Sequence, residues 1–463
     1  MQALAVKGRP TGVGGSGRWL GLALLALLAG CRAEPPTNLV LISLDTVRRD
    51  HLETYGYGRD TAPTVARLAA DSAVFENAFA QDVETNPSHA SMFTGLYPNV
   101  HGNRHHGLKL RAGVPTLAGI LEAAGFRTGA FISAVTLRAE LSGLERGFEF
   151  YDDRFGGMRR DGRLTTASAL RWLRSLPADS AFFLFLHLYD AHGPYAATGR
   201  YATLFDSEVP GPRLERIPDY QPLPGIRTGA AHHLNDYVDR YDAMIRYADD
   251  RVATLLAEID LDRTVVVVLA DHGETLGGRW WPLDHGARVV DEQARIPLIV
   301  HVPGLEPQRI EANVETVDLL PTLLELLGVE LPPGVSVQGR SLLPLLEGNA
   351  GEPRDFTFTG ARPVDRRYAD RAYQLDQGGR IESVRSGRWK LVELPGLRSP
   401  YLELYDLVSD PGETTNVAER QPEVRDALRE VLSDWRAAGS AGARPRELDP
   451  KSAAQLRALG YLD

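Results

Sequence analysis

The sequence predicts an α/β fold: a doubly wound, mostly parallel sheet followed by a small C-terminal α+β subdomain. Continuous apolar runs of strand length recur along the chain, and such runs are typical of strands that are buried on both faces. Amphipathic helical patterns lie between them, and this alternation of strand and helix indicates an open sheet with helices on both sides. The apolar runs cover residues 39–44, 129–132, 182–186, 265–270 and 298–302.

Three helical patterns separate or follow these runs. Residues 116–124 carry apolar side chains at helical spacing and stop at Gly125, and residues 317–327 stop in the same way at Gly328. Glycine just past the last helical residue is a common stop signal because it adopts the left-handed conformation without strain. Residues 237–259 form a longer amphipathic stretch.

Beyond residue 348 the pattern changes to short strand-like segments and a final helix. We therefore predict a main domain over residues 38–348, the α+β subdomain over 349–440 and a loosely structured tail over 441–463. The strand-like segments cover residues 382–384, 389–392 and 404–407, and the helical pattern runs from about 423 to 437.

The first 31 residues have the pattern of a targeting segment. Basic residues precede an apolar run over residues 19–28, which is too short to cross a bilayer. The run ends in LAGC (28–31), which resembles a bacterial lipobox and implies cleavage before Cys31 and attachment of lipid to its sulfur. We expect residues 32–37 to form a tether, and the protein to reside in the periplasm or on the cell surface, bound to the membrane through this lipid only. The alternative is a plain secretory signal.

Charge and cysteine content exclude several classes of protein. The 61 acidic residues outnumber the 51 basic ones, which argues against a nucleic-acid-binding protein. Cys31 is the only cysteine, so no intramolecular disulfide can form. Only four lysines occur: Lys7, Lys109, Lys390 and Lys451. The sequence does not determine the oligomeric state.

Polar residues follow three of the predicted strands. The carboxyl ends of parallel strands meet at one edge of a sheet, so we expect these side chains to lie together. Carboxylates combined with imidazoles form metal sites of hard or borderline character. The sequence therefore predicts a divalent metal site at this edge. The residues are Asp45 after the first run, His187, Asp190 and His192 after the third, and Asp271 and His272 after the fourth.

The segment ETNPSHASMFTG (84–95) resembles the active-site signature of the sulfatase family. That signature reads Cys or Ser, any residue, Pro, Ser, Arg, and then a short helix that ends in Thr-Gly. The family oxidises its Cys or Ser to formylglycine, which serves as the nucleophile. Thr85 occupies this position here, and threonine is not expected to enter that pathway. We expect Pro87 and Ser88 to open the helix, with its amino end facing an anionic ester.

Two further segments resemble the metal motifs of the alkaline phosphatase superfamily, to which sulfatases belong. They are LISLDT (41–46) and ADHGE (270–274). By this resemblance Asp45, Thr85, Asp271 and His272 hold one divalent ion, and Thr85 is both nucleophile and ligand. Contact with the metal would lower the pKa of the hydroxyl and orient it.

Two histidine loops complete the predicted site. HLYDAHGPY (187–195) resembles the His-Gly-Pro loop of the family, and LDHG (283–286) resembles a second histidine loop. The resemblance implies catalytic roles for His192 and His285, either as a general acid or, with Asp190, as ligands of a second metal. The sequence leaves these alternatives open. His187 is a candidate supporting residue, and we interpret His106 as part of a plain loop.

Several departures from the sulfatase pattern favour phosphate over sulfate. His89 replaces the signature's Arg, Thr46 replaces an acidic ligand, and Lys109 is the only lysine between the signal and the C-terminal region, where the family uses two. The site then resembles relatives with a threonine nucleophile: nucleotide pyrophosphatases/phosphodiesterases and phosphoethanolamine transferases. We predict hydrolysis of a phosphomonoester or phosphodiester that is a small molecule or is linked to a glycan or lipid.

Two alternatives remain: a sulfatase that uses unmodified Thr85, and a non-catalytic lipoprotein that binds an anionic ligand. For the metal, the histidines favour Zn²⁺ or Mn²⁺, whereas oxygen-rich ligands would suit Ca²⁺ or Mg²⁺. Residues 138–164 and 196–230 are the expected pocket walls, and Tyr195, Trp280 and Trp281 are candidates for stacking on the substrate.

Overall fold

The fold is built around an eight-stranded sheet. The computed structural model describes residues 37–106, 108–214, 233–277, 283–351, 354–362 and 379–440, together with residues 8 and 376. The strands of this sheet are β1 (Asn38–Leu44), β2 (Ala73–Phe79), β3 (Arg127–Phe131), β4 (Phe150–Asp152), β5 (Phe182–Leu188), β6 (Thr264–Leu269), β7 (Arg295–His301) and β8 (Gln308–Glu315). Their spatial order is β4-β3-β5-β1-β6-β7-β2-β8. The five strands from β4 to β6 in that order are parallel, whereas β7 is antiparallel to both β6 and β2.

The predicted fold class is confirmed, and each predicted apolar run lies within or overlaps a strand. β1 lies at the centre between β5 and β6, and every residue of β1 from Leu39 to Leu44 is buried. The sequence patterns did not indicate β2, β4 or β8. β2 contains a polar pair, Glu76-Asn77, at the point where its register shifts, and this pair interrupts the apolar run.

Helices cover the sheet and connect its strands. In chain order they are α1 (Pro63–Ala70), α2 (Thr85–Thr94), α3 (Pro98–His101), α4 (Leu117–Ala123), α5 (Ala139–Ser142), α6 (Gly162–Ser175), α7 (Leu234–Leu256), α8 (Asp291–Ala294), α9 (Leu319–Leu326), α10 (Leu343–Leu346) and α11 (Pro422–Ser440). Five short 3₁₀ segments accompany them: Arg49–His51, Glu53–Tyr55, Val135–Leu137, Gly199–Tyr201 and Thr316–Asp318.

The start of α2 corrects one prediction. The helix begins at Thr85, two residues before the predicted opening at Pro87. Proline is tolerated there because the first four backbone N–H groups of a helix have no partner within the helix, so the N–H that proline lacks costs nothing. This correction puts Thr85 itself in the first turn of the helix.

The C-terminal region forms a second, four-stranded antiparallel sheet with α11 packed on it. Its strands are β9 (Thr357–Ala361), β10 (Ile381–Arg385), β11 (Trp389–Leu394) and β12 (Tyr401–Asp406), in the order β12-β11-β10-β9. Trp435 of α11 stacks on Phe358 with a centroid distance of 4.9 Å, and Tyr97 from the main sheet region packs edge-on against Trp435. The two sheets therefore share a hydrophobic cluster.

Several predicted features lie wholly or partly outside the described residues: the targeting segment with Cys31, residues 32–36 of the tether, residues 215–230 of the second pocket wall, Trp280 and Trp281, and the tail over 441–463. The described residues from 37 to 440 group into one compact unit. Among the helices of the described ranges, none combines the length and the apolar character that a membrane span requires.

Candidate active site

Two carboxylates lie at the carboxyl edge of the main sheet because β1 and β6 are adjacent and in register. Asp45 follows β1 directly, and Asp271 follows β6 after one alanine. Asp271 Oδ1 accepts hydrogen bonds from the backbone N–H groups of Thr46, at 3.2 Å, and His272, at 2.9 Å. These bonds fix the carboxylate, and its second oxygen lies 3.5 Å from His272 Nε2.

Asp45, Asp271 and His272 form a group with the spacing of a metal site. One ligand atom from each residue lies within 4.8 Å of the others, and all three side chains are fully buried. Within the described part of the chain, Asp45 Oδ1, Asp271 Oδ2 and His272 Nε2 have no hydrogen-bond partner. Buried polar atoms without a partner are costly, and here three of them converge. His272 Nδ1 donates to the Gly273 carbonyl at 2.9 Å, which leaves the Nε2 lone pair for a cation.

The charges of this group require a counter-ion. Burial, and then the neighbouring charge of Asp271, raise the pKa of Asp45 well above its usual range. Burial also acts to raise the pKa of Asp271, but the nearby His272 and other imidazoles hold it at about 2. A divalent cation between the two carboxylates would remove this repulsion. The residues present therefore fit a divalent metal.

Thr85 lies beside this group at the start of α2. Its Oγ1 donates to Asp45 Oδ2 at 3.3 Å, and the side chain is buried. Ser88 Oγ, one turn along the helix, donates to the Asp271 carbonyl at 2.7 Å and holds the helix start against the end of β6. The structure thus brings together all four residues of the predicted metal set, Asp45, Thr85, Asp271 and His272.

Two more histidines, His187 and His89, form hydrogen bonds to Asp45 and to the backbone of Thr85. His187 Nε2 donates to Asp45 Oδ2 at 3.0 Å. His89 Nδ1 donates to the Thr85 carbonyl at 2.7 Å, and its Nε2 lies 2.9 Å from the Ser43 hydroxyl. Burial lowers the pKa of both imidazoles to about 4, so both are neutral near pH 7. His89 and His187 also lie at ligand spacing from Asp271, but their hydrogen bonds within the protein favour a supporting role.

His192 and His285 lie side by side next to His272. The centroids of their rings are 4.8 Å apart, and the ring of His285 stacks on His272 at 4.7 Å. His192 Nδ1 donates to the Gly193 carbonyl at 2.7 Å, and His285 Nδ1 lies 2.9 Å from Glu274 Oε1. Burial, followed by the neighbouring imidazoles, lowers the pKa of both to about 3.

Asp190, which was predicted to bind a second metal together with His192 and His285, contacts the start of a helix instead. Its Oδ1 accepts the N–H of Gly162 at 3.0 Å, at the start of α6. The approach is so close that a Cβ on Gly162 would lie 2.1 Å from Asp190 Oδ2. Asp190 therefore anchors the amino end of α6, and neither group of metal-ligand spacing among the described residues contains it. A carboxylate that follows a strand can serve a nearby helix start as well as a metal.

Four residues near the site were not predicted as site residues: Glu84, His106, Glu274 and Arg362. Glu84, directly before the nucleophile position, is buried and lies 3.2 Å from Arg362 Nε and 3.7 Å from His106 Nε2. His106 lies in a turn, as predicted, and its contact with Glu84 brings that turn next to the site; burial and then the neighbouring His285 lower the pKa of His106 to about 3. Glu274 could have been predicted as a site residue, because it is the last residue of the ADHGE motif. No sequence pattern indicates the contact between Arg362 and Glu84.

Comparisons with known proteins agree with this geometry. The model of the sulfatase family matches residues 37–329, and the model of the C-terminal region of N-sulphoglucosamine sulphohydrolase matches residues 284–438. The fold and these matches define a hydrolase of the sulfatase type. The chain belongs to the sulfatase family, and it is an ester-hydrolysing enzyme.

Individual relatives extend over nearly the whole chain. The delta 4,5-hexuronate-2-O-sulfatase of Bacteroides thetaiotaomicron is 26% identical, with 96% of this chain and 97% of that protein covered. Human N-sulphoglucosamine sulphohydrolase is 27% identical, with 89% and 92% covered. The crystal structure of the phosphonate monoester hydrolase of Agrobacterium radiobacter superposes with a TM-score of 0.71 at 23% identity, covering 88% of this chain and 96% of that one, which shows the shared fold.

Proposed function

We propose that this enzyme hydrolyses phosphomonoesters or phosphodiesters through Thr85 as an unmodified nucleophile. One observation carries the proposal: the Thr85 hydroxyl lies 3.3 Å from Asp45 Oδ2, beside three buried ligand atoms that have no hydrogen-bond partner among the described residues. A hydroxyl in the first turn of a helix also faces backbone N–H groups that can bind an anionic ester.

Asp45, Thr85, Asp271 and His272 would hold a divalent ion, with Zn²⁺ or Mn²⁺ favoured by the imidazole ligand. When bound, the ion supplies a positive charge that lowers the pKa of a ligating hydroxyl and offsets the charge of the ester. Thr85 Oγ1 would form a bond to phosphorus while the bond from phosphorus to the ester's alcohol oxygen breaks, and the hydroxyl proton would pass to that leaving oxygen. Water would then break the bond between phosphorus and Thr85 Oγ1, which releases phosphate from a monoester or a phosphomonoester from a diester and regenerates the hydroxyl.

The preference for phosphate rests on positions where this chain differs from the sulfatase pattern that the sequence resembles. Threonine lacks the chemistry that converts Cys or Ser to formylglycine in the family. His89 stands where the signature has Arg, and its two nitrogens bond to Thr85 and Ser43. Lys109 is exposed, and it is the only lysine between the signal and the C-terminal subdomain. The site therefore lacks the two lysines that cradle sulfate in many relatives.

Turnover of three aryl esters tests the proposal: p-nitrophenyl phosphate, bis(p-nitrophenyl) phosphate and p-nitrophenyl sulfate, with Zn²⁺ or Mn²⁺ supplied. We expect release of p-nitrophenol from a phosphate ester, and a loss of roughly 10³-fold or more in Thr85→Ala. Thr94→Ala is the matched control, because Thr94 ends the same helix and donates to the Ala90 carbonyl. Equal rates in Thr85→Ala and wild type would contradict the proposal.

Sulfate ester hydrolysis by unmodified Thr85 is the second candidate, because relatives along the whole chain are sulfatases by name. Faster turnover of the aryl sulfate than of both phosphate esters would favour it. The convergent ligand atoms argue against a non-catalytic binding role. Natural substrates of both candidates are small-molecule, glycan-linked or lipid-linked esters.

We also propose that the mature protein is a lipoprotein of the periplasm or cell surface, anchored through Cys31. The support is the LAGC segment at 28–31 and the position of the only cysteine within it. Metabolic labelling with palmitate tests this proposal. Label that persists in Cys31→Ala would contradict it.

A further inference from the structure

Glu274 connects the two histidine loops of the site. It follows the Asp271-His272 pair and has no solvent exposure. Its Oε1 accepts from His285 Nδ1 at 2.9 Å, and its Oε2 accepts from the Tyr195 hydroxyl at 2.6 Å. Tyr195 belongs to the loop that carries His192, so one buried carboxylate holds that loop and the His285 loop in a fixed relation.

His285 is held between the metal ligands and the nucleophile segment. Its ring stacks on His272 with an interplanar angle of 29°. The next residue, Gly286, has a φ of +82° and packs on Glu84, since a Cβ at Gly286 would lie 3.1 Å from Glu84 Cγ. Glu84 directly precedes Thr85. Because Glu274 occupies Nδ1, Nε2 is the nitrogen of His285 that can serve the reaction.

We infer that Glu274 is a positioning residue that fixes His285 as the base for hydrolysis of the Thr85-linked intermediate; this inference rests on the proposed function. In that step the oxygen of water bonds to phosphorus while the bond from phosphorus to Thr85 Oγ1 breaks, and its electron pair stays on Oγ1. The proton of water moves to Nε2 of His285 and then to Thr85 Oγ1, which restores the hydroxyl and the neutral imidazole. The carboxylate of Glu274 stabilises the transient imidazolium and fixes its orientation.

Pre-steady-state kinetics with bis(p-nitrophenyl) phosphate separates the two chemical steps. p-Nitrophenolate leaves without a proton, so formation of the intermediate does not need His285, whereas its hydrolysis does. In Glu274→Leu we expect an unchanged burst of p-nitrophenol followed by a steady-state rate that is roughly 10²-fold lower than in wild type. A loss of burst and steady state in equal proportion would overturn the inference.

Two variants control for damage to the fold. Glu274→Gln keeps an oxygen that can accept from His285 Nδ1 but removes the charge, so its steady-state rate should fall between those of wild type and Glu274→Leu. Glu315→Gln alters a second fully buried glutamate that accepts a tyrosine hydroxyl, Tyr97 at 2.5 Å, far along the chain from both histidine loops. Glu315→Gln should leave the ratio of burst to steady-state rate unchanged, and a changed ratio there would overturn the inference.

A measurement without turnover distinguishes this inference from the proposed function. ¹⁵N spectra of histidine-labelled protein report the tautomer of each imidazole, and His285→Gln identifies the signals of His285 by their absence. We expect the Nδ1–H tautomer in wild type and its loss in Glu274→Leu. An Nε2–H tautomer in wild type would overturn the inference, whatever the outcome of the Thr85→Ala assay.

Discussion

Two buried groups of acidic residues differ in where their positive charge comes from. In the C-terminal region, Lys390 Nζ donates to Asp291 Oδ1 at 2.8 Å and to Glu413 Oε1 at 3.0 Å, and Lys390 is 1% exposed. We call these three residues the lysine cluster. The chain itself provides the cation there, so the cluster is complete as a structural element.

The metal cluster, Asp45, Asp271 and His272, is fully buried, and its hydrogen-bond partners among the described residues include no lysine or arginine. One atom on each of its three side chains has no partner. Removing a buried charge's partner leaves an uncompensated charge, which costs several kcal/mol. The metal cluster therefore fits a cation taken from solution, whereas the chain itself supplies the cation of the lysine cluster.

The largest expected effect is a loss of activity and metal binding when one carboxylate of the metal cluster is neutralised. The same change in the lysine cluster serves as the control. Asp271→Asn should lower activity on the preferred aryl ester by roughly 10³-fold or more and abolish metal binding, because a carboxamide gives no negative charge to a divalent ion. Asp291→Asn is the matched control and should keep both properties. Elemental analysis and steady-state rates measure them, and a metal-loaded, fully active Asp271→Asn enzyme would show that the metal cluster was assigned incorrectly.

The second effect concerns stability. Lys390→Met should lower the free energy of unfolding by about 3–5 kcal/mol, since it leaves the buried Glu413 and the partly buried Asp291 without their cation. Urea denaturation of the metal-loaded protein measures this value. Metal content should stay at the wild-type level in the folded fraction. A change below 1 kcal/mol would mean that another group neutralises the cluster, and Arg385, 3.3 Å from Asp291, is the nearest candidate.

The two clusters also show how far the sequence predicts a site. Asp45 and Asp271 could be predicted because each follows an apolar strand, and the carboxyl ends of parallel strands meet at one edge. Asp190 has the same sequence signal, yet its carboxylate binds the start of α6 at Gly162. Periodicity fixes where a strand ends but not which backbone N–H group comes within reach of the next side chain.

The lysine cluster had no comparable signal. Its members come from α8, from β11 and from a loop near residue 413, and no local pattern joins them. The same holds for the contact of Arg362 with Glu84. The strands of the main sheet could be predicted where apolar residues are continuous, as in β1, but not where Glu76 and Asn77 interrupt β2. Contacts between distant, locally irregular segments depend on tertiary packing.

Removal of the metal should produce a moderate effect that only the metal cluster shows. A ligand at 100 times its dissociation constant stabilises the folded state by about 2.7 kcal/mol, so chelation should lower the free energy of unfolding by about that amount. Lys390→Met should lose the same increment on chelation, whereas Asp271→Asn should lose none. Thermal melts with and without a chelator measure the difference. An equal response in Asp271→Asn would indicate that the metal binds elsewhere.

The smallest effect is a pH dependence within the lysine cluster. Burial, together with the charge of Asp291, raises the pKa of Glu413 to about 7 against the opposing influence of Lys390. Glu413 Oε2 has no hydrogen-bond partner, which leaves it available to carry the proton. A carboxyl with a raised pKa in the folded state contributes stability that is fully present below its unfolded value of 4.5 and is lost as the pH rises through about 7.

Glu413→Gln mimics the protonated carboxyl at every pH, so it should remove this dependence. Relative to wild type, the variant should become more stable by about 2 kcal/mol between pH 5 and pH 8, as measured by urea denaturation at fixed ionic strength. Asp291→Gln is the opposing comparison, because the charge of Lys390 holds the pKa of Asp291 below its usual range despite burial, so that carboxylate stabilises the fold at both pH values. A Glu413→Gln variant whose stability parallels wild type from pH 5 to pH 8 would mean that Lys390 neutralises both carboxylates at once, and the lysine cluster would then hold no proton to lose.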